Sequence, residues 1–282
     1  MLMCDPRFQF QTSDGVTIRY EIDDYTAPWE RAPTVVMLHA AMGSSRRFFA
    51  WVPPLVPRYR VVRWDMRGHG ASGQRGSQPL SLDRLVSDLI ELLDHLELDR
   101  AHMVGSSAGG IVSLRAAVDH PDRFSTLSAF AAIPGLRSSI EHNDYEDWKA
   151  GLLREGISAF LKRTVRQRFR ADLVAPGFVD WFIEDAARND PRYLAEFVTM
   201  MTQIDFGDEL PAISCPSLFV VPSNDPVHSM ENYSVLKSVP DHRFVVYENM
   251  PHNITDAIPQ RCVGDLREFL DAHAPRGTCA VD

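Results

Sequence analysis

Apolar residues recur along the chain with two alternating periods. Residues 34–38, Thr-Val-Val-Met-Leu, form an unbroken apolar run, as expected of a strand buried on both faces. Residues 59–64, 101–104, 124–131, 217–221 and 243–247 read as further strands. Between them lie segments with helical spacing. In 82–96, Leu82, Leu85, Val86, Leu89, Leu92, Leu93 and Leu96 share one face, and Ser81 is placed to cap it. Helices are also expected over 108–118, 230–239 and 258–273, and over about 46–55, where Pro53-Pro54 should cut the helix short. Strand and helix in alternation mean an α/β class fold with a mostly parallel sheet and helices on both sides. Ahead of it, 8–11 and 16–22 read as an antiparallel hairpin around Ser13-Asp14-Gly15.

The rhythm breaks at Ile133-Pro134-Gly135. From there to Phe206 the pattern predicts helices over 145–154, 157–169, 176–188 and 191–202, and no strand. The expected division is therefore a core of 1–133 and 207–282 carrying a helical insert of 134–206. Residues 274–282 read as a frayed tail.

A chain of 282 residues can bury a large core. Its net charge of −9 argues against a nucleic-acid or anionic-membrane partner but not against a small-molecule substrate, even an anionic one, because a pocket can be locally basic. No apolar run reaches the roughly 18 residues of a membrane span. The N-terminus lacks a basic stretch followed by an apolar one, so no signal peptide is expected. Cys4, Cys215, Cys262 and Cys279 are scattered and form no C-x-x-C pair, which reads as free thiols in a reducing, cytoplasmic setting. Oligomeric state is left open.

The candidate chemistry sits at 103–110, Met-Val-Gly-Ser-Ser-Ala-Gly-Gly. Gly105 to Gly109 fits G-x-S-x-G, a sharp strand-to-helix turn that holds a serine oxygen, here that of Ser107, proud of a sheet. A serine hydroxyl needs a base, and the base an orienting carboxylate. His252, in Asn-Met-Pro-His-Asn directly after the strand 243–247, is the candidate base. Asp225, in Pro-Ser-Asn-Asp-Pro after 217–221, is the candidate acid, though Asn-Asp-Pro would make a turn in any case. The strand ending at Ala132 offers no carboxylate in its place. Backbone N–H groups of Ala108 and Ala41 are the expected oxyanion donors, with Ala40 as the next candidate. No metal or cofactor is called for.

With the elbow 105–109, the loop His39-Ala40-Ala41-Met42-Gly43, the turn Asp65-Met66-Arg67-Gly68-His69-Gly70-Ala71-Ser72, Asp225 and His252 in hand, the chain resembles the α/β-hydrolase superfamily along nearly its whole length. Within it the chain looks most like the 3-oxoadipate enol-lactonase group and related small-carboxylate hydrolases. The Arg-Gly-His-Gly-Ala-Ser turn and the segment 148–157 carry that second likeness. The resemblance implies a serine hydrolase of a small ester or lactone, with the insert as a cap over the site. The same scaffold also serves carbon–carbon or amide cleavage, cofactor-free dioxygenation and ligand sensing. Two positions depart from the common pattern, Ala40 and Ser106, and both bear on pocket shape.

Trp148, Phe160, Trp181 and Phe197 are candidates to wall the pocket. The run 162–170, with four arginines, reads either as a solvated face or as the source of one arginine that reaches in to hold a substrate carboxylate. Arg46, Arg47 and Arg137 are rivals for that role.

Overall fold

The computed structural model describes residues 8–273; Cys4, Cys279 and the tail from 274 lie outside the described residues. The strands are β1 (Gln9–Gln11), β2 (Thr17–Asp23), β3 (Thr34–Leu38), β4 (Arg60–Trp64), β5 (Ala101–Ser106), β6 (Phe124–Phe130), β7 (Ser217–Pro222) and β8 (His242–Tyr247). They form one sheet in the order β1-β2-β4-β3-β5-β6-β7-β8. β1 and β2 pair antiparallel, and every pairing from β4 to β8 is parallel. The order reverses at β3, which lies between β4 and β5. Such a switch opens a crevice beyond the carboxyl ends of the two strands that flank it.

Helices α2 (Leu82–His95) and α3 (Ala108–Asp119) cover one face of the sheet, packing on Val36, Leu38, Val62 and Met103. α1 (Val52–Leu55) and α9 (Pro259–His273) cover the other, packing on Val35, Met37, Val61 and Val220. Successive residues of β3 thus feed opposite cores, which is why its sequence is apolar from Val35 to Leu38. Ser81 caps α2 by accepting the Arg84 N–H at 3.1 Å.

The helix expected over 46–55 divides into a 3₁₀ turn, Ser45–Phe48, and α1. Pro53 and Pro54 fall in the first turn of α1, where a missing N–H loses no helical bond. They start that helix instead of shortening it.

Between β6 and β7 the chain forms α4 (Tyr145–Thr164), α5 (Phe178–Ala186) and α6 (Pro191–Met201). Gly156, at φ 75° and ψ 164°, breaks α4 at the point where the sequence suggested two helices. The segment packs its own cluster, which includes Leu152, Phe160, Phe169, Phe182, Ile183 and Leu194 and reaches Met42 on the core. Gly68, at φ +73°, meets the segment directly. A Cβ there would lie 1.9 Å from the Tyr193 ring. α7 (Met230–Ser234) and α8 (Ile254–Ala257) complete the described helices.

Candidate active site

The elbow is built as its residues require. Ser107 joins β5 to α3 at φ 48° and ψ −115°. A non-glycine residue there costs of order 1–3 kcal/mol and persists only where its surroundings over-determine it. They do so here. A Cβ on Gly105 would lie 2.5 Å from the Gly109 carbonyl oxygen, and one on Gly109 would lie 2.4 Å from that of Leu38. α3 therefore presses against both β5 and β3, and Ser107 stands at the topological switch.

His252 comes from the loop between β8 and α8, and Asp225 from the loop after β7. His252 Nε2 lies 2.9 Å from Ser107 Oγ, and His252 Nδ1 lies 2.8 Å from Asp225 Oδ2. An ionised carboxylate can only accept, so Nδ1 carries the proton and Nε2 is free to accept from the serine. Asp225 is fixed further by the Val227 N–H on Oδ1 at 2.7 Å and by the Tyr233 hydroxyl, which donates to Oδ2. Burial alone would raise this carboxyl. The adjoining His252 and His228 imidazoles and the Tyr233 hydroxyl outweigh it and hold the group down to about 2.

The loop after β3 supplies the second wall. Gly43 N–H donates to the Ala40 carbonyl at 3.0 Å, closing a turn with Met42 at φ 61°. His39 Nδ1 approaches the same carbonyl at 2.8 Å, while its Nε2 accepts the Met66 N–H at 3.1 Å. Burial pushes the His39 imidazole down to about 4, so it is neutral with the proton on Nδ1. The C=O and N–H of one trans peptide point opposite ways. Drawing the Ala40 carbonyl into the turn therefore turns the Ala41 N–H out of it. That N–H has no partner among the described residues. The Ala108 N–H is one of the unpaired donors at the start of α3.

Ala40, Ala41, Ser107, Ala108, Trp148 and His252 line one largely closed cavity of about 60 Å³. Ser106, Arg137 and Trp181 are not among its lining residues. The Ser106 hydroxyl turns the other way and meets Thr255 Oγ1 at 2.9 Å. Arg137 starts a 3₁₀ turn that is tied through its backbone N–H to the Ile204 carbonyl at 3.0 Å. Trp181 packs outside, edge-on to Phe49 and beside Arg46 and Arg47.

The arginines sort by partner. Arg46 and Arg47 are committed to Asp185, and Arg47 also to Asp256. Arg163 pairs with Asp147 and Glu155, Arg170 with Asp172, and Arg166 is exposed. Arg168 is buried, lines the cavity, and stacks its guanidinium 4.2 Å from the centre of the Trp148 ring. It forms no ion pair among the described residues. Burial lowers it to about 10, against the pull of Asp225 and Tyr145, so it remains a cation at neutral pH. Its carbonyl accepts the Asn253 N–H at 3.2 Å, which brings this part of the segment beside His252.

An alpha/beta hydrolase fold family model matches residues 33–256, which takes in the elbow, both candidate loops and the helical segment. The chain belongs to this family. It is an enzyme of the hydrolase class. Over 249 residues it is 29% identical to a protein of Caulobacter sp. (strain K31) provisionally named as the carbamate hydrolase RutD, covering 85% of this chain and 91% of that one. It is 28% identical to 3-oxoadipate enol-lactonase 2 of Acinetobacter baylyi over 175 residues, 60% of this chain and 63% of that one. A solved hydrolase from Pseudomonas aeruginosa PA01 superposes with a TM-score of 0.83 at 27% identity, covering 93% and 97% of the two chains.

The cavity of this hydrolase is also lined by Tyr145, which sequence reasoning did not single out, and by His228, which the sequence suggests as a pocket or surface residue and not as the base. His228 is pushed down to about 3 by burial, so it is neutral, and its Nδ1 has no hydrogen-bond partner. Its position three residues after Asp225 was the available signal. Tyr233, on Asp225, had none. Among the described residues no cluster of His, Cys, Asp or Glu could hold a metal ion, and no helix is long and apolar enough to cross a membrane.

Proposed function

We propose that this hydrolase cleaves a small ester or lactone bearing a carboxylate, through an acyl-enzyme on Ser107. The observation that carries the reading is the chain Ser107 Oγ, His252, Asp225, with links of 2.9 Å and 2.8 Å, opening on a cavity that also holds an unpaired guanidinium. In the first step the Ser107 oxygen attacks the scissile carbonyl as His252 Nε2 takes its proton. The N–H groups of Ala41 and Ala108 receive the oxyanion. His252 then returns the proton to the leaving alkoxide. A water activated by the same imidazole releases the acid product and restores Ser107. Asp225 keeps His252 in the working tautomer and stabilises it when it is charged.

The finer choice of substrate rests on three supports. The cavity of about 60 Å³ favours a small acyl group. Part of its lining is apolar, with Ile111, Leu136, Phe197 and Met201, while Arg168 offers a fork that matches a carboxylate. The names of two relatives, a carbamate hydrolase and an enol-lactonase, are in keeping with acyl-group hydrolysis. In this reading residues 134–206 act as a cap that closes the site and supplies Arg168 and Trp148.

The test is direct. A fluorophosphonate should label Ser107 alone, and Ser107→Ala should abolish labelling and turnover of a panel of esters and lactones. Labelling that survives in Ser107→Ala would overturn the nucleophile. An intact label with no hydrolysis of any panel member would overturn the ester and lactone reading.

A further inference from the structure

The loop that carries the Ala41 N–H does not hold itself. Met42 is not glycine, yet it occupies the left-handed region at φ 61°, where a type II turn would ordinarily place glycine. Its carbonyl is gripped from outside the loop. Asn189, in the link between α5 and α6, donates from Nδ2 to the Met42 carbonyl at 3.2 Å and to the Ala186 carbonyl at 2.9 Å. Its Oδ1 accepts the Gly70 N–H at 2.9 Å. Both ends of the amide are thus used, and the side chain is buried. One helical turn earlier, Asp185 accepts the Ser44 hydroxyl at 3.1 and 3.0 Å on its two oxygens. The helical segment therefore holds the loop at two points, on either side of Gly43.

We propose that Asn189 is a positioning residue for the oxyanion hole, holding the 40–43 turn in the conformation that aims the Ala41 N–H at the substrate. The inference rests on the assignment of Ser107 and Ala41 above. The link is mechanical. Release of the Met42 carbonyl frees Met42 to leave the left-handed region. The Gly43 to Ala40 bond then opens, and the Ala40–Ala41 peptide loses the anchor that turns its N–H toward the cavity. Asn189 does not line this cavity, so its loss should leave substrate binding largely intact and weaken the transition state. The segment over the site would then take part in assembling the reaction centre as well as enclosing it.

The experiment uses the full chain with 4-nitrophenyl acetate as substrate and diethyl 4-nitrophenyl phosphate as titrant. Titration counts competent sites, and turnover is expressed per titrated site. Asn189→Ala should lower kcat per site by about 10-fold or more, toward the cost of losing an oxyanion donor, with KM within about 3-fold. Asn189→Asp should do no better. It keeps the shape but sets a carboxylate oxygen against the Met42 and Ala186 carbonyls. If either substitution only damages folding, the titratable fraction falls and kcat per remaining site is unchanged, which overturns the inference. A raised KM with unchanged kcat overturns it as well. A wild-type chain that releases no 4-nitrophenol from the titrant, or Ser107→Ala that still releases it, overturns the nucleophile reading and this inference with it. A wild type that titrates normally, beside an Asn189→Ala that turns over equally fast per site, overturns the inference alone.

Discussion

Replacing Arg168 by Met should change two quantities in opposite directions. The guanidinium is buried, faces the cavity and pairs with no carboxylate among the described residues. Its compensation in the free protein is the stack on Trp148 and the more distant charge of Asp225. A cation–π contact contributes about 0.5–2 kcal/mol. The effective penalty for burying an unpaired ion is several kcal/mol. The free protein therefore carries a net strain that a bound carboxylate would relieve. Met fills a similar volume and can still lie on the Trp148 ring. Arg168→Met should accordingly raise Tm, by about 2–4 °C for each kcal/mol recovered in a chain of this size.

Activity should move the other way. Truncating one partner of a buried charged pair costs about 2–5 kcal/mol, or roughly 30- to 4,000-fold in kcat/KM. The assay uses a matched pair of substrates, one ester or lactone with a free carboxylate and the same compound with that carboxylate methylated. Wild type should prefer the free acid, and Arg168→Met should erase most of that preference while changing the methylated compound little. Arg168→Lys should fall between them, because it keeps the charge and loses the fork and the stack. If the methylated compound is turned over as well as the acid by wild type, the carboxylate reading is wrong while the nucleophile stands. If Arg168→Met lowers Tm and harms both substrates equally, the arginine is a structural group and the argument from its missing partner fails.

Two further outcomes follow from the electrostatics. Asp225→Asn should keep the fold, as judged by an unchanged circular dichroism spectrum, and lower kcat by about 10⁴, because His252 loses both its tautomer and its counter-charge; a near-native rate would place the working carboxylate elsewhere. Acid should unfold the protein early. His39, His69, His102 and His228 are pushed by burial to about 4, 3, 4 and 3, below the ordinary 6.5, so the unfolded chain binds protons that the folded one refuses. Stability is thus full above pH 6.5 and falls as pH drops toward 4, by about 1.4 kcal/mol per pH unit for each histidine and roughly 5 for all of them. Asp65, Asp88 and Asp256, whose carboxyls burial raises, offset part of this at the acid end. Urea midpoints measured from pH 7 to pH 4.5 check the slope, and a flat profile would refute the neutral buried state of these rings.

The sheet and its flanking helices were legible because each is encoded within its own segment. The period-two and period-3.6 patterns are local. The elbow is local too, since a strand, a tight glycine-flanked turn and a helix follow one another within 101–119. Asp225 and His252, which the structure brings within hydrogen-bond reach of each other and of Ser107, could be picked out as candidates because chain order and the ends of strands narrow the choice to two loops with few ionisable residues each. Pocket-lining residues were another matter. Of those singled out, Ala40, Trp148 and Phe197 line the cavity, whereas Ser106, Arg137 and Trp181 do not, and Phe160 packs within the insert's own cluster. Arg168 lay within a run recognised as basic, but nothing in the run separates it from Arg163, Arg166 or Arg170. What separates it is the 3₁₀ turn Val165–Gln167, which changes the helical phase after α4 and turns one arginine inward.

The same difficulty explains why the joint between the helical segment and the core went unread. In α5, Phe182, Ile183 and Ala186 form the apolar stripe, and Asp185 falls beside it in a position that periodicity assigns to water. It is instead buried under Ser44, Arg46 and Arg47. A solvated aspartate and a buried one follow the same local rule, because a helix places a polar residue off its apolar stripe in either case. The difference lies wholly in the partner, and the Arg47 guanidinium that meets Asp185 is 138 residues away in the chain. Apolar contacts tolerate such distance in prediction, since any hydrophobic face will serve another. A buried carboxylate does not. It needs one particular cation and one particular hydroxyl, and the sequence states that requirement only once both segments are in place.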